Sequence, residues 1–222
     1  MRSELLVFGM IAAAIHVVAC EGMDPVAPSA IDDGSAVSPS QAPVFVSVAP
    51  IGEFPMSGSG ISGLATLTRT KESLSVEQDF SGLTEGNAYT IWWVIFDRPQ
   101  GCDGSCDASD LSRQRAQGSL VNGGGFVAPG GTAFYSSQLA RHDVEGKQVW
   151  VGDPSGVDNT YRAEVHLVLR DHGVAESDQD DLAVQTSTFA DFCNLPDPPV
   201  VGGCKNVGAA VFDRPDPDRT EG

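Results

Sequence analysis

The chain has 222 residues, with 30 acidic and 13 basic side chains, a formal net charge of −17 and an isoelectric point near 4.3. That balance excludes a nucleic-acid binder, which needs a basic footprint. Hydrophobic residues make up 41% of the chain, an ordinary globular composition, and no run of about 20 apolar residues is present, which excludes a multi-span membrane protein.

Residues 1–19 carry Arg2, then an apolar stretch from Leu5 to Ala19 interrupted only by His16. The stretch is short for a membrane span and fits a signal peptide. It ends on Val17-Val18-Ala19-Cys20, which resembles the lipobox of bacterial lipoproteins. The resemblance implies cleavage before Cys20 and acylation of that cysteine, with the lipid bilayer as partner. Two or three acyl chains suffice for stable anchoring. The alternative is an ordinary secretory signal whose Cys20 joins a disulfide. Residues 20–42 are rich in Ser, Pro, Ala and Asp without apolar periodicity and read as a disordered tether, about 70 Å long when stretched.

From residue 43 to 213 the pattern predicts strand after strand: 43–48, 64–70, 73–80, 88–97, 118–121, 132–139, 148–151, 162–170, 183–189 and 206–212. Turn signals separate most of them, among them Asn122-Gly123-Gly124-Gly125 and Asp153-Pro154-Ser155-Gly156. Only 107–117 offers room for a short helix. Residues 214–222 read as a flexible tail. Many short strands with Gly/Pro turns predict an all-β, antiparallel β-sandwich, Ig-like or superoxide-dismutase-like.

Alternation predicts the buried faces. Leu74, Val76 and Phe80 share one side of their strand, opposite Ser75, Glu77 and Asp79. Ala163, Val165, Leu167 and Leu169 point inward, opposite Glu164, His166, Val168 and Arg170. In 88–96 both faces are apolar: Tyr89, Ile91, Trp93 and Ile95 on one, Trp92, Val94 and Phe96 on the other. Such a strand is central, or has one face covered by a loop or a partner. The Trp92, Trp93 and Phe96 cluster is either core or a binding patch.

Beyond Cys20, the cysteines are Cys102, Cys106, Cys193 and Cys204. Three pairings are possible. The local scheme, Cys102–Cys106 and Cys193–Cys204, closes two Gly/Pro/Asp-containing loops. A four-thiolate metal site is the rival, but the C-x3-C and C-x10-C spacings are poor for zinc.

His166 and His172 can share a metal only if the chain reverses after Arg170, at Asp171-His172-Gly173. Otherwise they lie about 20 Å apart along an extended strand. Glu164, His166 and Arg170 form a possible polar functional face, either an acid/base pair or a salt-bridge ladder. Asp103, Ser105 and Asp107 imitate alternate calcium ligands. Ala108 and Gln114 break the EF-hand pattern, and the stretches 153–158 and 176–181 read as solvated acidic loops. No G-x-S-x-G elbow, P-loop or dinucleotide fingerprint is present.

Two resemblances follow. The segments AYTIWWVIFDRP (88–99) and AEVHLVLRDHG (163–173), with the four cysteines, resemble a group of uncharacterised exported bacterial proteins, which implies no assigned activity. The segment 63–89 is similar to the opening of copper/zinc superoxide dismutases and chordin-type domains. Thr90-Ile91-Trp92-Trp93 stands where the dismutases place copper histidines, so that resemblance implies the fold without its metal chemistry.

The expectation is an exported protein, lipid-anchored to the bacterial cell envelope through Cys20, that acts as a binding module for a protein or glycan ligand, with no cofactor and no catalytic residues. Alternatives are a metal-binding or redox protein using His166, His172 and nearby acids, and a structural envelope component.

Overall fold

A computed structural model describes residues 42–144, 147–152, 156–193 and 203–214, all within one compact unit spanning Gln41–Gly222. The expected signal peptide (1–19), Cys20, nearly all of the expected tether (20–42) and the expected tail beyond residue 214 lie outside the described residues. Among the described residues no helix is long and apolar enough to cross a membrane.

The described residues form nine strands: β1 (Phe45–Glu53), β2 (Ser62–Arg69), β3 (Ser73–Ser81), β4 (Asn87–Phe96), β5 (Gly118–Val127), β6 (Thr132–Ala140), β7 (Val149–Gly152), β8 (Glu164–Val174) and β9 (Lys205–Phe212). All pairings between them are antiparallel, in the order β6-β3-β2-β1-β9-β8-β4-β5-β7. The sheet curls until β6 meets β5 through side chains. Ser137 Oγ and Tyr135 Oη donate to the Gly123 carbonyl at 2.7 and 3.1 Å, and Trp93 Nε1 donates to Ser137 Oγ at 3.1 Å.

Nine of the ten expected strands are present. The exception is 183–189. There the chain forms helix α1 (Gln179–Gln185) because Asp178 caps it, its carboxylate accepting from the Asp180 and Asp181 amides. Acidic residues in the first turn suit the helix dipole. Thr186 and Ser187 hydroxyls then turn back onto the Leu182 and Ala183 carbonyls and end it.

Asn122-Gly123-Gly124-Gly125 is no turn either. It lies inside β5, where the β4 pairing register shifts between Thr90 and Trp92. Glycine is needed there for close approach: a Cβ on Gly125 would stand 2.5 Å from both the Thr186 and Tyr89 carbonyl oxygens.

Curling encloses one apolar interior. It collects the inward residues of β1–β3 (Ile51, Leu67, Leu74, Val76, Phe80) and of β4 and β8 (Tyr89, Ile91, Trp93, Ile95, Val165, Leu167, Leu169). Arg69 is buried among them with no carboxylate partner among the described residues. Its Nη1 donates to the Thr160 and Ala163 carbonyls at 2.9 Å each, and Nη2 to the Asp213 carbonyl at 3.3 Å. Burial brings its pKa down to about 10.

The two halves of the sheet treat their outer faces differently. On β1, β2, β3 and β6 the outer face stays open: the row Val48, Thr66, Glu77, Ser136 is in register, and Val48 is 63% exposed. On β4, β5 and β8 it is covered. Trp92, Val94, Phe96, Leu120 and Val168 form a second cluster with Cys106 and Ala116, and Cys102, Leu111 and Phe189 pack against it. The doubly apolar strand is therefore both central and covered by a loop, and Trp92 and Trp93 are core on opposite faces.

Candidate functional site

Both cysteine pairs are the local ones. Cys102–Cys106 and Cys193–Cys204 are disulfides, with Cα atoms 5.2 and 4.7 Å apart. Each pins a segment over the outer face of β8.

At the start of β8, Glu164 Oε1 lies 2.7 Å from His166 Nε2 and accepts from the Cys106 amide at 3.1 Å. Both side chains are largely buried, and the Phe96 ring stands edge-on to the imidazole. The carboxylate thus holds the disulfide loop and the ring together. Beside it opens a cleft of about 530 Å³ lined by Pro99, Gln100, Ser105, Glu164, Asp213 and Arg214.

The calcium imitation in this loop dissolves. Asp107 caps a short 3-10 turn (Ala108–Asp110), and Asp103 pairs with Arg113 and Arg115 at 3.1 and 2.8 Å. Charges that sequence spacing left open are neutralised by local arginines. The acid stretch around 176–181 is likewise occupied in part by the cap of α1.

Arg170 does not join Glu164 and His166. Its guanidinium lies over the Phe189 ring at 4.1 Å, Nε donates to the Phe189 carbonyl at 2.7 Å, and Nη1 donates to Asn206 Oδ1 at 2.6 Å. Burial lowers its pKa to about 10. Arg170 clamps the segment after α1 onto the sheet, so the expected three-residue polar face divides into a pair and a clamp.

His166 and His172 are not brought together. Strand β8 runs on to Val174, so Asp171-His172-Gly173 makes no reversal. The local cause is Asp171: Oδ1 accepts from the Gly173 amide at 2.8 Å, and Asn87 Nδ2 donates to both carboxylate oxygens at 3.1 and 3.2 Å. The Asn87 bonds tie β8 to β4 here, and the Gly173 bond closes a local kink, with φ +83° at Gly173, that does not turn the strand back. Burial raises the Asp171 pKa, partly offset by those same bonds. His142 sits far off in sequence, exposed, with Nε2 3.2 Å from Asp158 Oδ1.

His172 is the chemically organised residue. It is fully buried. Nε2 lies 2.9 Å from Thr90 Oγ1, which also accepts from Trp92 Nε1 at 2.8 Å. Nδ1 lies 3.2 Å from the Asp191 carbonyl and 3.1 Å from Cys204 Sγ of the disulfide. A carbonyl and a disulfide sulfur can only accept, so Nδ1 carries the proton. Nε2 is then the acceptor, and the Thr90 hydroxyl donates to it. Indole, hydroxyl, imidazole and disulfide form one directed chain. Burial pushes the His172 pKa down to about 4; the Asp191 carbonyl bond works against that shift and Arg170 with it. The ring is neutral at pH 7.

His172 is thus found by composition, as one of four histidines, but its partners are not. Thr90, Trp92 and Cys204 come from two other parts of the chain, and only strand order brings them into contact. Comparison of the chain with protein-family models, with curated proteins and with solved structures finds no match.

Proposed function

We propose that this protein is exported, is anchored to a bacterial cell envelope through an acylated Cys20, and works there as a binding module whose ligand site is the cleft at the start of β8. The observation that carries the reading is the way Glu164 is held. A buried carboxylate fixed by a backbone amide and an imidazole, beside a covalently pinned loop, is pre-organised for binding. The cleft offers acceptors at Glu164, Asp213 and Gln100, a hydroxyl at Ser105 and a cation at Arg214. That lining suits a ligand rich in hydroxyl or amide donors, a glycan or a polar peptide loop. The two disulfides agree with an oxidising compartment. The curled sheet, with one interior between its two halves, is read as a two-layered sandwich of the kind the superoxide-dismutase resemblance implies, without copper ligands.

Two experiments test this. Mass spectrometry of the amino-terminal peptide from the native host is expected to show Cys20 carrying diacylglycerol; an unmodified cysteine after cleavage elsewhere removes the anchor. A glycan array and envelope-peptide panel probed with wild type and with Ser105→Trp is expected to show binding that the tryptophan abolishes. Ligands bound equally by both proteins move the site away from this cleft.

A further inference from the structure

The Cys193–Cys204 disulfide and His172 form a second centre, distinct from the cleft and independent of what the cleft binds. His172 Nδ1, Cys193 Sγ and Cys204 Sγ all lie within 4.8 Å of one another, with the imidazole buried and both cysteines half-buried. In the oxidised state the two sulfurs bond each other and neither can take a cation. Reduction changes that set. A dithiol reductant transfers two electrons and two protons to the disulfide, leaving two cysteine thiols and itself becoming a disulfide.

We propose that the reduced protein binds one copper(I) ion through the Cys193 and Cys204 thiolates and His172 Nδ1, so that the disulfide is a redox gate on a metal site. Binding releases the two thiol protons to solvent. The ligand chemistry selects the ion: two soft thiolates with one imidazole suit a d¹⁰ monovalent cation in three-coordination. The described residues supply three ligands at this cluster, which completes a three-coordinate copper(I) site, whereas zinc would have to add a water as its fourth ligand. The Cα separation of 4.7 Å lets small side-chain rotations open the sulfurs around an ion.

The surroundings of His172 fit the role. A metal-ligating histidine must be neutral and normally donates its other N–H to a fixed acceptor. When the ion takes the place of the proton on Nδ1, that proton leaves to solvent and Nε2 takes one from solvent, so the ring stays neutral and donates its Nε2–H to Thr90 Oγ1, 2.9 Å away. The hydroxyl oxygen has two lone pairs and takes both this N–H and that of Trp92 Nε1. One rotation of the Thr90 hydroxyl therefore serves both tautomers, with no movement of the ring.

The test uses the purified full chain. One sample is left as isolated. The other is reduced anaerobically with excess dithiothreitol, desalted and given copper(I) in competition with a chromophoric copper(I) chelator. Reduction opens the Cys102–Cys106 disulfide too, so the comparison is made in a Cys102→Ser/Cys106→Ser background. Expected is a copper ion retained by this double variant when reduced, but not when left as isolated, nor by the reduced double variant with Cys193→Ser or Cys204→Ser added. X-ray absorption at the copper edge of the double-variant complex is expected to show two sulfur ligands and one imidazole nitrogen. With His172→Gln added the nitrogen signal disappears. Where that variant does not fold, the double-variant spectrum decides alone. A reduced double variant that yields its copper fully to the chelator, one that retains as much copper after Cys204→Ser is added, or a spectrum with sulfur ligands only, overturns the proposal.

Discussion

His172 and Thr90 are joined side chain to side chain across neighbouring strands, Nε2 to Oγ1 at 2.9 Å, and both residues are fully buried. Because Trp92 Nε1 leans on the same oxygen, one hydroxyl satisfies two buried ring nitrogens. Among the described residues Thr90 Oγ1 is the partner of both these ring nitrogens, so the bond acts as a keystone for the covered face of β4.

Replacing Thr90 by Val keeps the shape and removes the hydroxyl. Two buried nitrogens then lose their partner, which is expected to cost about 2–4 kcal/mol. Thr90→Ser restores the oxygen and is expected to lose under about 1.5 kcal/mol, the missing methyl alone. Urea unfolding with an unchanged slope checks both. Equal losses in the two variants would show that packing, not the hydroxyl, matters.

Stability is expected to depend on pH through His172. Its folded pKa is about 4 against an ordinary 6.5. Between those values the unfolded chain takes up a proton that the folded chain refuses. Its contribution is intact above pH 6.5, falls by at most about 1.4 kcal/mol per pH unit below it, and is gone once the folded pKa is passed. Asp171 acts in the opposite sense, since burial raises its pKa and the folded state takes up that proton first. Comparison of wild type with His172→Gln therefore isolates the histidine. The gap between their unfolding free energies at pH 7 is expected to narrow as pH falls toward 4. Parallel curves would contradict the assignment.

Arg69 ties three backbone carbonyls from two segments, Thr160, Ala163 and Asp213, to the end of β2. Arg69→Ala leaves those carbonyls and a cavity, an expected loss of about 3–5 kcal/mol. Arg69→Lys is expected to recover only part of it, because a single ammonium cannot reproduce the planar fork. Thermal or denaturant unfolding of both variants measures the order. A lysine variant as stable as wild type would remove the argument from geometry.

The Cys102–Cys106 disulfide holds the cap over Trp92, Val94 and Phe96. Its short loop contributes about 2 kcal/mol in the chain-entropy account. Opening it in Cys102→Ser/Cys106→Ser is expected to lower stability by about that amount and to speed hydrogen exchange in β4 and β8 ahead of β1 and β2. Uniform acceleration across all strands would mean that the cap is not a separate unit.

The sequence by itself determined the strands, because their period-two alternation is a local property. Leu74, Val76 and Phe80 are buried as their spacing requires, and so are Ala163, Val165, Leu167 and Leu169. The disulfide pairing was legible too, since each pair closes a short loop. Local chemistry misled at two places. The cap at Asp178 overrode the β-like pattern of 183–189, and the glycines at 123–125 serve close packing inside β5 instead of a turn. Tertiary structure alone decided which outer faces are covered, why both Trp92 and Trp93 are core, and how Arg170 is spent on Phe189 while Glu164 meets His166. It alone set His172 beside Thr90 and Cys204, residues 82 and 32 positions away along the chain. Such contacts depend on strand order and on how far the sheet curls, and periodicity carries no record of either.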